Sequence, residues 1–150
     1  MLYTLENTMK FEEIDKDIND LWFTSPQAFD AYKKPVPVRF SVAEEPGTID
    51  TLEGPVRYDA GFYIMTGPKG EQYPIPPERF RTLYDDNGDG TANPKRIVKR
   101  ARLADRDGTV DTSWGEKLHY SNGEDYIVKH GPRDYGVVKK DIFMQTYARA

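Results

Sequence analysis

Arginine side chains recur at even positions along one basic segment near the middle of the chain. Arg96, Arg100 and Arg102 follow one another at spacings of four and two. Because side chains alternate between the two faces of an extended chain, these guanidinium groups would share one face of a strand. Such a row could bind phosphate groups. An edge strand whose charges prevent pairing, or an internal contact with the acidic N-terminal segment, would have the same pattern.

Aromatic and titratable side chains accompany this segment in the second half of the chain. Trp114 and Tyr135 could stack on the bases of a nucleotide. His130 and Asp134, near Tyr135, could supply an acid, a base or a binding group. Their spacing matches no recognised catalytic pattern. We therefore assign no catalytic residue. The candidate ligand-binding residues are Arg96, Arg100, Arg102, Trp114, His130, Arg133, Asp134 and Tyr135.

A metal or cofactor site is not expected from the sequence. The chain has no Cys and two His, whereas a zinc site uses three or four His, Cys or carboxylate ligands. Asp85, Asn87 and Asp89 resemble the opening of a calcium-binding loop, but the twelfth position of that loop holds Arg96 in place of Glu. These turn-forming residues instead predict a solvated linker over residues 85–94.

The candidate residues belong to the second of two similar stretches of sequence. Residues 48–84 are echoed by residues 109–147, with small changes of offset in the turns. The pair Phe80 and Tyr84 recurs as Phe143 and Tyr147. A loop can absorb an inserted residue without moving core side chains, so a duplication explains the pattern. The recurring aromatic residues are expected in the core or at an interface.

The duplication predicts an α+β fold built from two tandem related β-rich units, each ending in a short helix. Units of this size bury too little surface to be stable alone. We therefore expect them to pack as one globule with a pseudo-two-fold relation. The expected organisation is an N-terminal helical segment over 1–32, a first repeat unit over 33–84, a linker over 85–94 and a second repeat unit over 95–150.

The N-terminal segment has two predicted helices. Apolar residues between Phe11 and Trp22 recur at spacings of three and four, with acidic residues between them, which is the pattern of an amphipathic helix. Ser25 and Pro26 suit the cap and first position of a second short helix running to Tyr32. Both helices are expected to cover an exposed face of the repeat units.

The opening strand of each unit follows from proline placement. Apolar residues alternate from Val36 to Val42, and Pro35 and Pro37 exclude a helix and favour a sheet edge. The equivalent segment of the second unit could be a capped helix when considered alone. Because its counterpart cannot be helical, we predict a strand over residues 97–103.

Charge is distributed unevenly along the chain. Residues 1–32 carry two basic and seven acidic side chains, and residues 95–150 carry twelve basic and eight acidic ones, within a net charge of −4. An anionic partner is therefore expected at the second unit. The acidic isoelectric point, near 5.2, disfavours nucleic acid as the partner. No apolar run reaches 18 residues and no signal sequence is recognisable, which indicates a cytoplasmic protein without a membrane span.

The second copy, GEDYIVKHGPRDYGVVKKDIFMQTY, resembles the family named after a Pro-Gly-Asp-Tyr-Gly motif, present here as residues 132–136. The first copy, with KKPV, TLEG and GFYIMTGPKGEQYPIPPERFRTLY, resembles a pattern of small phage and prophage proteins. The resemblance implies bacterial or phage origin and a role in a mobile element or in phage–host conflict. It assigns no activity. Arg133 stands where the motif has Gly, at a position where only Gly would adopt some backbone conformations freely.

These observations favour a non-enzymatic binding protein of phage or bacterial accessory type. Its expected partner is a protein or a phosphorylated small ligand, bound mainly through the second repeat. Two alternatives stay open: a nucleotide-processing enzyme with a site in the divergent turn at His130 to Tyr135, and a structural protein that oligomerises through its sheet edges. The sequence predicts no particular oligomeric state.

Overall fold

The computed structural model describes residues 18–150, and this part of the chain is mostly β-strand with two short helices. A single 3₁₀ turn, Trp22–Thr24, precedes the first strand. The strands are β1 (Phe29–Lys33), β2 (Val38–Val42), β3 (Gly47–Thr51), β4 (Gly54–Tyr58), β5 (Tyr63–Thr66), β6 (Gln72–Ile75), β7 (Tyr84–Asp86), β8 (Thr91–Pro94), β9 (Lys99–Leu103), β10 (Gly108–Asp111), β11 (Lys117–Tyr120), β12 (Asp125–Gly131), β13 (Asp134–Lys139) and β14 (Tyr147–Arg149), and the helices are α1 (Pro77–Leu83) and α2 (Lys140–Thr146).

The strands form two five-stranded antiparallel sheets and two separate hairpins. The first sheet has the order β6-β5-β2-β8-β7, and the second has the order β13-β12-β9-β1-β14. Strands that are equivalent in the sequence repeat occupy equivalent places in the two sheets. The hairpins β3-β4 and β10-β11 are equivalent in the same way. The repeat in the sequence is therefore also a repeat in the topology.

The two sheets exchange one strand each. Strand β1 precedes β2 in the chain, but it pairs with β9 and β14 in the second sheet. Strand β8 precedes β9, but it pairs with β2 and β7 in the first sheet. Ala31 and Ala92, at the centres of these exchanged strands, are fully buried. Each repeat therefore completes the sheet of the other, and neither sheet can be complete without both repeats.

A glycine begins each hairpin because a tyrosine ring occupies the space beside it. A Cβ atom on Gly47 would lie 2.8 Å from Cζ of Tyr58, and a Cβ atom on Gly108 would lie 2.8 Å from Cζ of Tyr120. These pairs face each other across the two strands of their hairpins. The same close approach in both repeats shows that the duplication extends to side-chain packing.

The recurring aromatic residues pack in the core of each unit, as their recurrence in the sequence predicted. Phe80 stacks on Tyr63 with a centroid distance of 3.8 Å. In the second unit Phe143 stacks on Tyr126 at 4.1 Å. Rings packed in this way bury large apolar areas and favour offset stacking. Each short helix therefore anchors its sheet through one Phe side chain.

The described residues do not support the prediction of an N-terminal helical segment. Most of the helix expected between Phe11 and Trp22 lies outside the described residues. The second helix, expected to run from Ser25 to Tyr32, is wrong, because Phe29–Lys33 forms strand β1. Pairing with strands on both sides outweighs the capping signal of Ser25 and Pro26, which form a turn instead.

The fold also bears on two strand predictions and on the predicted linker. Residues 97–103 contain β9, so the strand expected there is confirmed, starting at Lys99. The edge position expected from Pro35 and Pro37 is wrong, because β2 begins after both prolines and is the central strand of its sheet. Residues 85–94 contain most of the hairpin β7-β8, so the segment expected as a linker belongs to the first sheet. No helix within residues 18–150 is long and apolar enough to cross a membrane.

Candidate anion-binding cavity

A cavity of about 460 Å³ is bordered by both sheets and by both separate hairpins. Much of its wall is apolar, with side chains such as Val38, Ile75 and Val137. Polar side chains also reach it. Those that matter for its charge include Lys33, Glu53, Tyr73, Arg79, Lys99 and His130, and other charged side chains, such as Glu71 and Lys139, line it as well.

Lys33, at the end of strand β1, is the first cation in this cavity. Its Nζ donates hydrogen bonds to the hydroxyl oxygens of Tyr84 at 2.8 Å and Tyr73 at 3.1 Å. Burial acts to lower the pKa of Lys33, but the oxygens of Tyr73, Tyr84 and Tyr147 outweigh burial and hold that pKa well above its usual value. Lys33 is therefore positively charged at neutral pH.

Lys99 and His130 form a second polar pair in the cavity, with Nζ of Lys99 2.8 Å from Nδ1 of His130. Burial, together with the charges of Lys33 and Arg79, lowers the pKa of Lys99 to about 7. Burial and the same neighbouring cations hold the pKa of His130 well below its usual value. At neutral pH His130 is therefore uncharged, and Lys99 is divided between its amine and ammonium forms.

The pairing of β9 with β12 brings these two side chains together. Ala101 of β9 pairs with Val128 of β12. Two residues further along each strand, Lys99 and His130 lie on the same face as that buried pair, because side chains two residues apart share a face. The alternation that buries Ala101 thus places Lys99 on the inner face of the sheet.

Arg79, in helix α1, joins the two repeats through an ion pair with Asp134 of strand β13. The two side chains are 11% and 16% exposed, so the pair is largely shielded from solvent. Oδ1 of Asp134 also accepts a hydrogen bond from the backbone N–H of Ser113 at 2.9 Å. The guanidinium of Arg79 lies 5.3 Å from the ring centroid of Trp114, a cation–π distance. The positive charge of Arg79 is therefore already balanced within the protein.

Glu53, in the turn between β3 and β4, supplies a carboxyl group to the wall. Burial, together with the negative charge of Asp125, raises the pKa of Glu53 to about 7. Asp125 is fully buried and accepts a hydrogen bond from the N–H of Ser121 at 2.7 Å. Lys139 lies 3.1 Å from the Asp125 carboxylate. This lysine is therefore committed to Asp125, unlike Lys33 and Lys99.

Lys33 and Lys99 have no acidic partner in the part of the chain that the structure describes. Their hydrogen-bonding partners there are tyrosine hydroxyls and a neutral imidazole. The imidazole brings no negative charge, and burial opposes ionisation of both tyrosine hydroxyls, although the neighbouring Lys33 lowers the pKa of Tyr84. The side of the cavity nearest these two lysines therefore has an excess of positive charge.

Three of the residues predicted from the sequence lie at or next to this cavity. His130 and Trp114 are part of its wall, and Asp134 holds Arg79, which also lines it. Trp114 donates from Nε1 to the carbonyl oxygen of Arg57 at 3.0 Å and packs edge-on against Phe62. Its ring therefore fixes the second hairpin against the first repeat.

The arginines of strand β9 do not line the cavity, and they contact the segment that precedes β1. Arg100 donates to the carbonyl oxygen of Phe23 at 3.0 Å, and Arg102 donates to that of Trp22 at 2.9 Å. Arg102 also lies over the Trp22 ring at 4.3 Å. These contacts fix the segment before β1 onto the second sheet. They agree with the alternative of an internal contact with the N-terminal segment.

The remaining predicted residues lie apart from the cavity. Arg96 is exposed and lies over the ring of Tyr32 at 4.0 Å. Tyr135 is a core residue, stacked against Phe23 at 5.8 Å. Arg133 is exposed with φ of 56°, the one non-glycine residue among the described ones with positive φ. The turn therefore has the left-handed backbone that Gly adopts freely, despite the arginine side chain.

Lys33, Lys99 and Arg79 were not among the residues predicted from the sequence, although Lys33 and Lys99 supply positive charge to the cavity without a carboxylate partner within residues 18–150. A signal for Lys99 was present, because it continues the inward alternation of Ala101 and Leu103. No comparable signal existed for Lys33, since its position depends on the exchange of β1 into the second sheet.

Comparisons with protein-family models, with curated proteins and with solved structures found no match. The resemblance to the Pro-Gly-Asp-Tyr-Gly family therefore rests on the quoted residues alone. Among residues 18–150, no three His or carboxylate side chains lie together as potential metal ligands.

Proposed function

We propose that this protein binds a small anionic ligand, carrying a phosphate or carboxylate group, in the cavity between its two sheets. The observation that carries the proposal is the pair of enclosed amines of Lys33 and Lys99, which lack an acidic partner within residues 18–150. Enclosing a cation without a counter-charge is costly. A ligand anion would supply that counter-charge and stabilise the folded protein.

The surroundings of the two lysines would strengthen such binding. Tyr73 and Tyr84 hold the Lys33 ammonium in place, so its charge is oriented before a ligand arrives. Charge–charge attraction is stronger inside an enclosed cavity than in water. A pre-positioned cation also loses less side-chain entropy on binding. Lys33 therefore serves as the main anchor for the anion.

The size of the cavity suits a small molecule. A volume of about 460 Å³ falls within the range of ligand pockets, which are mostly apolar with a few convergent polar groups. Apolar side chains on the wall would contact the body of the ligand. The anionic group would lie at Lys33 and Lys99.

The charge of the proposed site comes from the second sheet. Lys33, Lys99 and His130 lie on β1, β9 and β12, which are neighbours in that sheet. Tyr73 and Tyr84 come from the first sheet. The reciprocal exchange of β1 and β8 supports a pseudo-two-fold relation between the units, and the two halves of the proposed site differ because Pro94 stands in β8 where β1 has Lys33.

The proposal is tested by thermal unfolding with inorganic phosphate, using sodium chloride of equal ionic strength as the reference. The expected result is a phosphate-dependent rise in melting temperature for the natural chain. Lys33→Met should lose most of that rise. Lys117→Met is the matched control, because Lys117 is exposed, pairs with Asp111 and does not line the cavity, and it should keep the rise.

Two outcomes would refute the proposal. One is a melting temperature that responds equally to phosphate and chloride at millimolar concentrations. The other is a phosphate response that Lys33→Met and Lys117→Met weaken to the same extent, since the response would then depend on overall charge rather than on the cavity.

A further inference from the structure

The chemistry of Lys99 extends the proposed function, on which this inference rests. We propose that Lys99 forms a reversible covalent imine with ligands that carry an aldehyde or ketone beside their anionic group. The inference assigns different tasks to the two lysines. Lys33 binds the anionic group, and Lys99 reacts with the carbonyl carbon.

The contacts of the two lysines explain this division. Lys33 donates to two tyrosine oxygens, which favour its ammonium form. The side-chain hydrogen bond of Lys99 is with His130, whose ring is neutral at physiological pH. A lysine must be an uncharged amine to attack a carbonyl, and burial near other cations is a recognised way to reach that state. Lys99 is the enclosed lysine that meets this condition.

His130 is placed to move a proton at the reacting nitrogen. Its Nδ1 faces Nζ of Lys99 at 2.8 Å. The other edge of the ring lies against Gly136, where a Cβ atom would be 2.5 Å from Nε2 of His130. Because Gly136 has no side chain, the imidazole can occupy this space. The ring is therefore held between Lys99 on one edge and Gly136 on the other.

The proposed reaction is balanced without any oxidant or reductant. The nitrogen lone pair of Lys99 forms a bond to the carbonyl carbon, while the π electrons of the carbonyl move to its oxygen. His130 accepts a proton from the nitrogen and returns it to the oxygen. Both hydrogens of the amine leave on that oxygen as water. One amine and one carbonyl group thus give one imine and one water molecule, and hydrolysis reverses the step.

The inference is tested by trapping the imine in the full chain with sodium cyanoborohydride at pH 7. The probes are pyruvate, glyceraldehyde 3-phosphate and the neutral compound acetaldehyde, and mass spectrometry of peptides locates the adduct. At pH 7 an ordinary lysine is neutral in roughly one molecule in 10³, whereas about half of Lys99 is neutral with its pKa at about 7. The expected result is one dominant adduct, at Lys99, that forms faster with the two anionic probes.

Variants refine the test. Lys99→Arg should abolish the adduct. Lys33→Met should keep it but raise the concentration for half-labelling roughly tenfold more for pyruvate than for acetaldehyde, since only pyruvate loses an anchor for its anion, whereas the loss of the Lys33 charge raises the pKa of Lys99 for both probes alike. Labelling spread over exposed lysines with no preference for Lys99 would overturn the inference. Peptide mapping of the natural chain gives this answer even if a variant does not fold.

The outcomes separate the inference from the proposed function. Phosphate binding without an adduct at Lys99 would refute imine formation and leave the binding function supported. An adduct at Lys99 that forms equally well with acetaldehyde, together with no phosphate response, would support the reactive lysine and refute the anion site.

Discussion

Nζ of Lys99 lies 2.8 Å from Nδ1 of His130 on the inner face of the second sheet. Each group lowers the cost of enclosing the other, because the neutral imidazole accepts a hydrogen bond from the lysine without a second charge. The contact depends on an internal duplication in which each repeat gives one strand to the sheet of the other. The same exchange brings Lys33 beside the first repeat's tyrosines.

Replacing Lys99 with Met should stabilise the folded chain below pH 7. The folded-state pKa of Lys99 is about 7, against an ordinary value of 10.5, so the unfolded chain binds more protons between these values. The resulting penalty is fully present below pH 7 and is lost as the pH rises toward 10.5. We expect Lys99→Met to raise the free energy of unfolding by about 1–2 kcal/mol at pH 6 and by less at pH 10. Urea denaturation across pH measures this, and a difference that grows with pH would contradict it.

Glu53 should have the opposite pH dependence. Its pKa is raised from 4.5 to about 7 in the folded chain, so the folded state retains a proton that the unfolded state loses. The natural chain therefore loses stability as the pH rises from 4.5 to 7. Glu53→Gln should be about 1 kcal/mol more stable than the natural chain at pH 8, and the two should be similar at pH 4. Glu45→Gln, at an exposed position, is the control and should show no such trend in urea denaturation.

Alanine substitutions at Gly136 and Gly131 test whether the contact with Gly136 holds the His130 ring in place. A Cβ atom at Gly136 would collide with the imidazole, whereas a Cβ atom at Gly131 would meet nothing within 4 Å. Gly136→Ala should lower the free energy of unfolding by about 1–3 kcal/mol. Gly131→Ala should change it by less than about 0.5 kcal/mol. Thermal unfolding compares them, and equal effects would show that the ring is not held by this contact.

The ion pair of Arg79 and Asp134 should be strongly coupled. Removing one partner leaves a shielded charge without its counter-charge, so Arg79→Met should cost about 3 kcal/mol of unfolding free energy. Adding Asp134→Asn removes the remaining charge and should recover part of that loss. Chemical denaturation of the two single variants and the double variant measures the coupling. Additive losses would mean that the pair contributes no interaction of its own.

The sequence predicted the parts of the fold that depend on local pattern and on the duplication. Phe80 and Phe143 anchor the short helices as their spacing indicated, and residues 97–103 contain a strand as the comparison of copies required. The exchange of β1 and β8 was not predictable, because pairing between distant strands leaves no trace in local alternation. The helix expected from Ser25 to Tyr32 failed for the same reason.

The candidate site was predicted only in part. His130, Trp114 and Asp134 were identified as candidates and lie at or next to the cavity. Arg100 and Arg102 were chosen because charged rows often bind anions, but they lie on the face opposite Lys99 and hold the segment at Trp22 and Phe23. Successive side chains of a strand point to opposite faces, so Lys99 lies on one face and Arg100 and Arg102 lie on the other. The sequence did not show which of these faces borders the cavity.

The most direct test of the anion site is calorimetric titration with sulfate, a dianion whose charge does not change between pH 6 and pH 9. Lys99 gains its proton as the pH falls through about 7, whereas Lys33 stays charged. We expect one sulfate per chain, bound several-fold more tightly at pH 6 than at pH 9, with little binding to Lys33→Met at either pH. No measurable binding at pH 6, or equal binding by the natural chain and Lys33→Met, would contradict it.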